Sequence, residues 1–112
     1  MRRTKVRMKT RPTRISRLRQ SKYLLRLYIS RSTMKSRVAV ENIQRVCEQH
    51  LKGRYDLEVI DIHDRASLAR DEQIVAVPTL IKRLPAPLQR LVGDMSDLDR
   101  VLLGLDLRLR TS

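Results

Sequence analysis

The chain contains no tryptophan and no phenylalanine, and only three tyrosines in 112 residues. Its core must therefore be assembled from Leu, Ile, Val and Ala. A single cysteine, Cys47, excludes an intramolecular disulfide framework and suits a reducing cytosol. No run approaches the ~18 apolar residues of a membrane span. The most apolar early stretch, Tyr23 to Ile29, is interrupted by Arg26 and is too short for a signal-peptide core. Nothing repeats internally. These absences leave one small domain with one compact core, expected to be cytoplasmic.

Acidic residues are missing from one region only. Residues 1–22 carry ten Lys or Arg and no acid, whereas residues 23–112 carry fifteen basic and twelve acidic groups. Most of the formal net charge of +13 thus belongs to an N-terminal arm, and the expected organisation is a disordered basic arm, 1–22, followed by a domain, 23–112. Several readings of the arm stand. It is a solvated tail or an extension ahead of a start at Met8, an arm for nucleic acid or another anionic surface, or a transit peptide.

Within the domain, Tyr23 to Ser30 alternates as a strand, with Leu25, Leu27 and Ile29 on one face and Leu24, Arg26 and Tyr28 on the other. Ser32 or Ser36 can cap a helix whose apolar stripe is Val40, Ile43, Cys47 and Leu51, flanked by Ala39 and Val46, with Gly53 placed to end it. Tyr55 to Ile62 reads as a second strand covered on both faces, which makes a parallel βαβ unit. Asp64 to Gln73 is polar, with a turn or two of helix opening at Asp64 or Ser67. Ile74 to Leu84 is a third apolar run broken by Pro78, and Leu88 to Val92 is a short fourth strand.

The last segment supports two periods at once. Leu98, Val101, Leu102 and Leu105 mark one face of a helix started by a Ser96/Asp99 capping box. Leu103, Leu105, Leu107 and Leu109 alternate with Gly104, Asp106, Arg108 and Arg110 as a half-buried strand.

The element order with a terminal helix is that of a thioredoxin-like α/β fold, which raises thiol–disulfide chemistry. That chemistry needs a low-pKa cysteine at the start of the first helix. The loop there, Ser30 to Ser36, has none, and Cys47 falls on the apolar stripe. Cys47, His50 and His63 are too few for zinc, the acids show no catalytic pairing, and no phosphate-cradling glycine loop exists. The residues themselves point to a binding module, without catalytic residues, metal or cofactor.

The stretches IVAVPTLIKRLPAPLQRLVGDMSD (Ile74 to Asp97) and VLLGLDL (Val101 to Leu107) resemble the KaiB family of circadian clock proteins, and LRLYIS and YDLEVIDI fit the same pattern. The resemblance covers about residues 22–109. It implies a non-enzymatic adaptor for KaiC, a hexameric RecA-like ATPase, with KaiA and a histidine kinase carrying a KaiB-like domain as further partners. It also implies a metamorphic α/β fold. One arrangement, βαββααβ, is a strand-ended homo-oligomer (tetramer or dimer) and is expected for the resting protein; the alternative is the thioredoxin-like βαβαββα monomer that binds KaiC.

By the same resemblance, fold-switch residues fall on Pro78, Pro85, Pro87, Gly104 and Asp106. Partner-binding residues fall on Arg37, Arg45, Lys52 and Arg54 of the first helix and second strand, and on Arg90. A glycine inside a helix costs about 1 kcal/mol relative to alanine, so Gly104→Ala is expected to favour the helical arrangement. The first loop lacks the family's Gly and Pro, Ala86 replaces a proline, Gln89 replaces a basic residue, and an acidic C-terminal extension is absent. These departures suggest a divergent member, from a KaiB–KaiC system without KaiA.

Overall fold

A computed structural model of the protein describes residues 22–107. The basic arm, apart from Lys22, and the end of the Leu103–Leu109 alternation lie outside the described residues. In chain order the elements are β1 (Tyr23–Ile29), α1 (Met34–His50), β2 (Tyr55–Asp61), α2 (Ala66–Asp71), β3 (Thr79–Leu84), β4 (Gln89–Val92) and α3 (Leu98–Gly104). The sheet order is β2-β1-β3-β4, with β1 parallel to β2 and antiparallel to β3, and β3 antiparallel to β4.

Strict alternation along β1 decides the layering. Tyr23, Leu25, Leu27 and Ile29 join Ala39, Ile43, Val46 and Cys47 of α1 and Val101, Leu102 and Leu105 of the α3 region in the larger core. Tyr28 points to the other face, where Ile60, Ile81 and Ala69 of α2 form a smaller cluster. Two helices therefore cover one side of the sheet, and the six-residue α2 covers part of the other. Burying each large aliphatic side chain stabilises by about 1.5–3 kcal/mol, so this allocation dominates the fold.

Local chemistry sets the ends. The α1 cap is Thr33, one residue from the expected Ser32, and its hydroxyl accepts from the Ser36 N–H at 3.2 Å. Ser36 is instead fully buried and accepts from the Ser30 N–H at 2.9 Å. The helix closes with the Leu51 N–H on the Cys47 carbonyl at 2.8 Å, and Gly53 takes φ +79° in the loop beyond.

Two expectations for the sheet fail. β2 is an edge strand and is buried only at Ile60 and Asp61, because it pairs with β1 alone while β3 takes the other side of β1. Ile74 to Val77 is not strand; Ile74 and Val77 cap the smaller cluster, and pairing begins at Thr79. The Val77–Pro78, Leu84–Pro85 and Ala86–Pro87 bonds are cis.

The terminal segment takes the helical period. Asp97, one residue past the expected Ser96, caps α3 by accepting from the Arg100 N–H at 3.2 Å. Leu102 and Leu105 are buried while Leu103, the first residue of the alternation, is 77 % exposed. The Leu107 N–H donates to the Leu102 carbonyl at 2.8 Å and the Asp106 N–H to the Leu103 carbonyl at 3.0 Å, a Schellman stop with Asp106 at φ +59°. The order is therefore the thioredoxin-like βαβαββα, and the strand-ended βαββααβ arrangement expected for the resting protein is not the one this structure takes. The physical reason is burial: the helix places Val101, Leu102 and Leu105 together against β1.

Candidate partner-binding surface

α1 shows its polar side to solvent, and at its first turns that side borders a groove of about 430 Å³ lined by Ile29, Arg31, Ser36, Arg37, Val40 and Glu41. One rim is rigidly held. Asp61 Oδ2 accepts from the backbone N–H of Arg31 at 2.9 Å and from its Nε at 3.0 Å, and the guanidinium also pairs with Asp64. Asp61 Oδ1 accepts from the His63 N–H at 2.8 Å. The His63 and Arg31 donors hold the Asp61 carboxyl down at about 2. Arg31 is thus fixed at the mouth of an apolar recess with exposed Arg37 beside it and Glu41 opposite in sign. Such a recess can take an apolar side chain flanked by an acidic one.

Further along the same side, Arg45 donates to Asn42 Oδ1 at 3.1 Å, and Asn42 Nδ2 donates to the Asp94 carbonyl at 2.9 Å, tying α1 to the loop before α3. Lys52 and Arg54 follow in the α1–β2 loop, with the Arg54 guanidinium 6.0 Å from the centre of the Tyr23 ring. Arg37, Arg45, Lys52 and Arg54 therefore lie along one helix and its exit. Arg90 does not join them. It sits on the opposite face of the sheet, its guanidinium donating to the Glu72 carbonyl at 2.6 Å.

Two of the five expected switch residues, Pro85 and Asp106, meet at Lys82, a residue that the sequence reading missed. Lys82 is 1 % exposed and donates to the Pro85 carbonyl at 2.6 Å and to Asp106 Oδ2 at 3.0 Å. Gly104 is the last residue of α3, where a Cβ would come within 2.7 Å of Leu91 Cδ1. A methyl group at Gly104 would press on the Leu91 side chain, so the effect of Gly104→Ala on the helical arrangement turns on whether Leu91 moves aside. Pro78 is buried and its carbonyl accepts from the Gly93 N–H at 3.0 Å, while Pro87 lies in the β3–β4 turn. The signal for Lys82 was present: in TLIKRL it shares strand parity with Leu80, the core-facing residue.

A second missed group is Glu72, whose carboxylate accepts from Arg26 Nη1 at 2.8 Å, Arg83 Nη1 at 2.6 Å and the Tyr28 hydroxyl. Cys47 is fully buried, and burial pushes its thiol up to about 12, which keeps it protonated at neutral pH. Among the described residues no group of His, Cys, Asp or Glu is placed to hold a metal, and no helix is long and apolar enough to cross a membrane.

The KaiB domain family model matches residues 26–107, from β1 to the end of the α3 stop. The chain belongs to the KaiB family. It is 46 % identical over 87 residues to circadian clock protein KaiB3 of Synechocystis sp., covering 78 % of this chain and 85 % of that protein. It is likewise 46 % identical over 85 residues to circadian clock oscillator protein KaiB of Prochlorococcus marinus, covering 76 % and 75 % of the two chains. Among solved structures, the N-terminal domain of Synechococcus elongatus SasA matches with a TM-score of 0.64 at 18 % identity, covering 97 % of this chain and 99 % of that one. Mitochondrial thioredoxin 3 of Saccharomyces cerevisiae matches with a TM-score of 0.64 at 11 % identity, covering 78 % and 79 %. At these identities the likeness is one of fold: this KaiB family member has a thioredoxin-like α/β architecture.

Proposed function

We propose that the chain is a non-catalytic adaptor that binds a KaiC-type hexameric ATPase in a clock or related timing system. In this reading the thioredoxin-like arrangement is the binding form, and it exchanges with a strand-ended oligomer through the segment that holds Pro78, Pro85, Pro87, Gly104 and Asp106. The observation that carries the reading is the family match over residues 26–107. The exposed side of α1, with Arg37, Arg45 and the groove held by Arg31, supplies a docking surface for an apolar and acidic partner segment. The fold shared with the SasA domain supports competition for one partner between two proteins of the same shape.

The test is size-exclusion chromatography of the protein with a KaiC-type ATPase and ATP. Co-elution is expected, together with its loss in Arg37→Glu/Arg45→Glu and its retention in Arg90→Gln. Absence of co-elution for the unmodified chain removes the reading. Loss in Arg90→Gln alone would move the surface to the opposite face of the sheet.

A further inference from the structure

The loop from Ser30 to Thr33 contains neither glycine nor proline, and a carboxylate of the following strand holds it instead. Asp61, at the end of β2, has a side chain only 6 % exposed and accepts from the Arg31 N–H at 2.9 Å and from Arg31 Nε at 3.0 Å. Asp64 takes Nη2 of the same guanidinium. The backbone on either side is tied as well. The Thr33 N–H and hydroxyl both donate to the Ser30 carbonyl, at 3.1 and 3.2 Å, and the Ser30 N–H donates to buried Ser36 at 2.9 Å. The Arg31 side chain is nevertheless 69 % exposed, and its Nη1 has no acceptor among the described residues. Arg37 lines the same recess and its side chain makes no bond among the described residues.

On the reading that the α1 side meets the ATPase, we infer that Arg31 is the specificity-determining residue of that surface, with Asp61 as its positioning residue. Arg31 donates to a main-chain carbonyl on a loop of the ATPase, the apolar side chain of that loop enters the Ile29–Val40 recess, and an acidic side chain of the loop meets Arg37. Charge decides which oxygen goes where. The two carboxylates of Asp61 and Asp64 already outnumber the Arg31 guanidinium, so a third carboxylate is repelled there. The free Nη1 N–H groups still suit an uncharged oxygen, and because the side chain is held in advance the bond costs little ordering entropy. Arg37 is the opposite case. It is a guanidinium without a counter-charge, whose fork matches a carboxylate. Glu41, which also lines the recess, excludes an acid from the apolar position. The occupant is a loop because carbonyls inside helices and strands are already committed to their own ladders.

The test measures the dissociation constant of the full chain for a KaiC-type ATPase with ATP by biolayer interferometry, at about 50 and about 200 mM salt. Arg31→Gln, at an exposed position, should weaken binding by about 10-fold and leave its salt dependence unchanged. Arg37→Gln should weaken binding and flatten the salt dependence. Asp61→Asn keeps one oxygen for the backbone N–H groups but gives up the guanidinium, at an expected cost of about 3–10-fold in affinity. Combined with Arg31→Gln it should cost no more than Arg31→Gln alone, a non-additivity that a general loss of stability would not produce. No binding by the unmodified chain overturns the adaptor reading and this inference together. Unchanged affinity in Arg31→Gln overturns this inference alone, and additive losses overturn the positioning role of Asp61. A flattened salt dependence in Arg31→Gln would put the partner's carboxylate on Arg31 and overturn the carbonyl. Loss of self-association in Arg31→Gln, with ATPase affinity unchanged, would give the recess to a second copy of the chain and overturn the inference likewise.

Discussion

Glu72 ends α2 and carries the polar contacts of the less covered face. Its side chain is 16 % exposed, and burial alone would raise its pKa. The Tyr28 and Arg26 hydrogen bonds and the Arg26 and Arg83 charges outweigh that and hold the carboxyl below its ordinary value. Because the folded pKa is depressed, the stabilisation is complete above the unfolded value near 4.5 and is lost as pH falls through the folded value. Asp61 behaves alike and extends the loss down to about pH 2. Glu72→Gln keeps the shape but removes the carboxylate that Arg26 and Arg83 share, leaving Arg26 with Glu58 alone, at an expected cost of about 2–3 kcal/mol at pH 7. Urea midpoints between pH 7 and pH 3 check both statements: the variant should start lower and fall less steeply. Parallel curves would assign the acid sensitivity to other carboxylates.

At the level of elements, α3 is held by contacts that neither of its sequence periods announces. The Tyr23 hydroxyl donates to the Leu105 carbonyl at 2.9 Å, which links the first residue of the sheet to the end of the last helix. Asp106 occupies the left-handed position where glycine is usual, and its carboxylate reaches the buried Lys82. Asp106→Asn retains tolerance of that conformation and removes the charge, so about 1–2 kcal/mol lost in urea unfolding would isolate the ion pair. Gly104 is governed by Leu91. Gly104→Ala should destabilise by about 1 kcal/mol in the intact chain and have no cost, or a small gain, in a Leu91→Ala background. Equal effects in the two backgrounds would show that Leu91 moves freely aside and that helix propensity alone decides.

The same elements show where sequence reasoning reaches. β1 was legible because one face is wholly buried in the larger core while Leu24 and Arg26 on the other are only half-buried, so its pattern alternates. The α1 stripe was legible because one side only meets the sheet. α3 was ambiguous because leucines satisfy both periods, and only a long-range fact, the position of β1 beneath it, selects one. The edge position of β2 and the loop character of Ile74–Val77 depend on the antiparallel entry of β3 beside β1, which no local pattern encodes. Of the candidate partner residues, four lie along α1 and its exit. Arg90 falls elsewhere because it pairs with Ile81, which faces the smaller cluster on the other side of the sheet.

For the whole molecule, the sheet separates two clusters of unequal size, and β1 belongs to both, through Leu27 on one face and Tyr28 on the other. A shared central strand makes independent opening of the layers costly, since releasing either face exposes residues whose neighbours hold the other. Cys47 reports on this directly. Its thiol is fully buried under α1 and held protonated by burial, so a thiol reagent reaches it only after α1 leaves the sheet. Native-state labelling at pH 8 should therefore be slower than labelling in denaturant by about the opening constant, on the order of 10³-fold or more for a typical domain. Glu72 lies on the far side of the sheet and touches no part of the Cys47 environment. If the molecule opens as one unit, Glu72→Gln should accelerate Cys47 labelling by about 30–150-fold, the equivalent of its 2–3 kcal/mol cost. An unchanged labelling rate in a variant of lowered urea stability would show instead that α1 detaches alone, with the Glu72 face still formed.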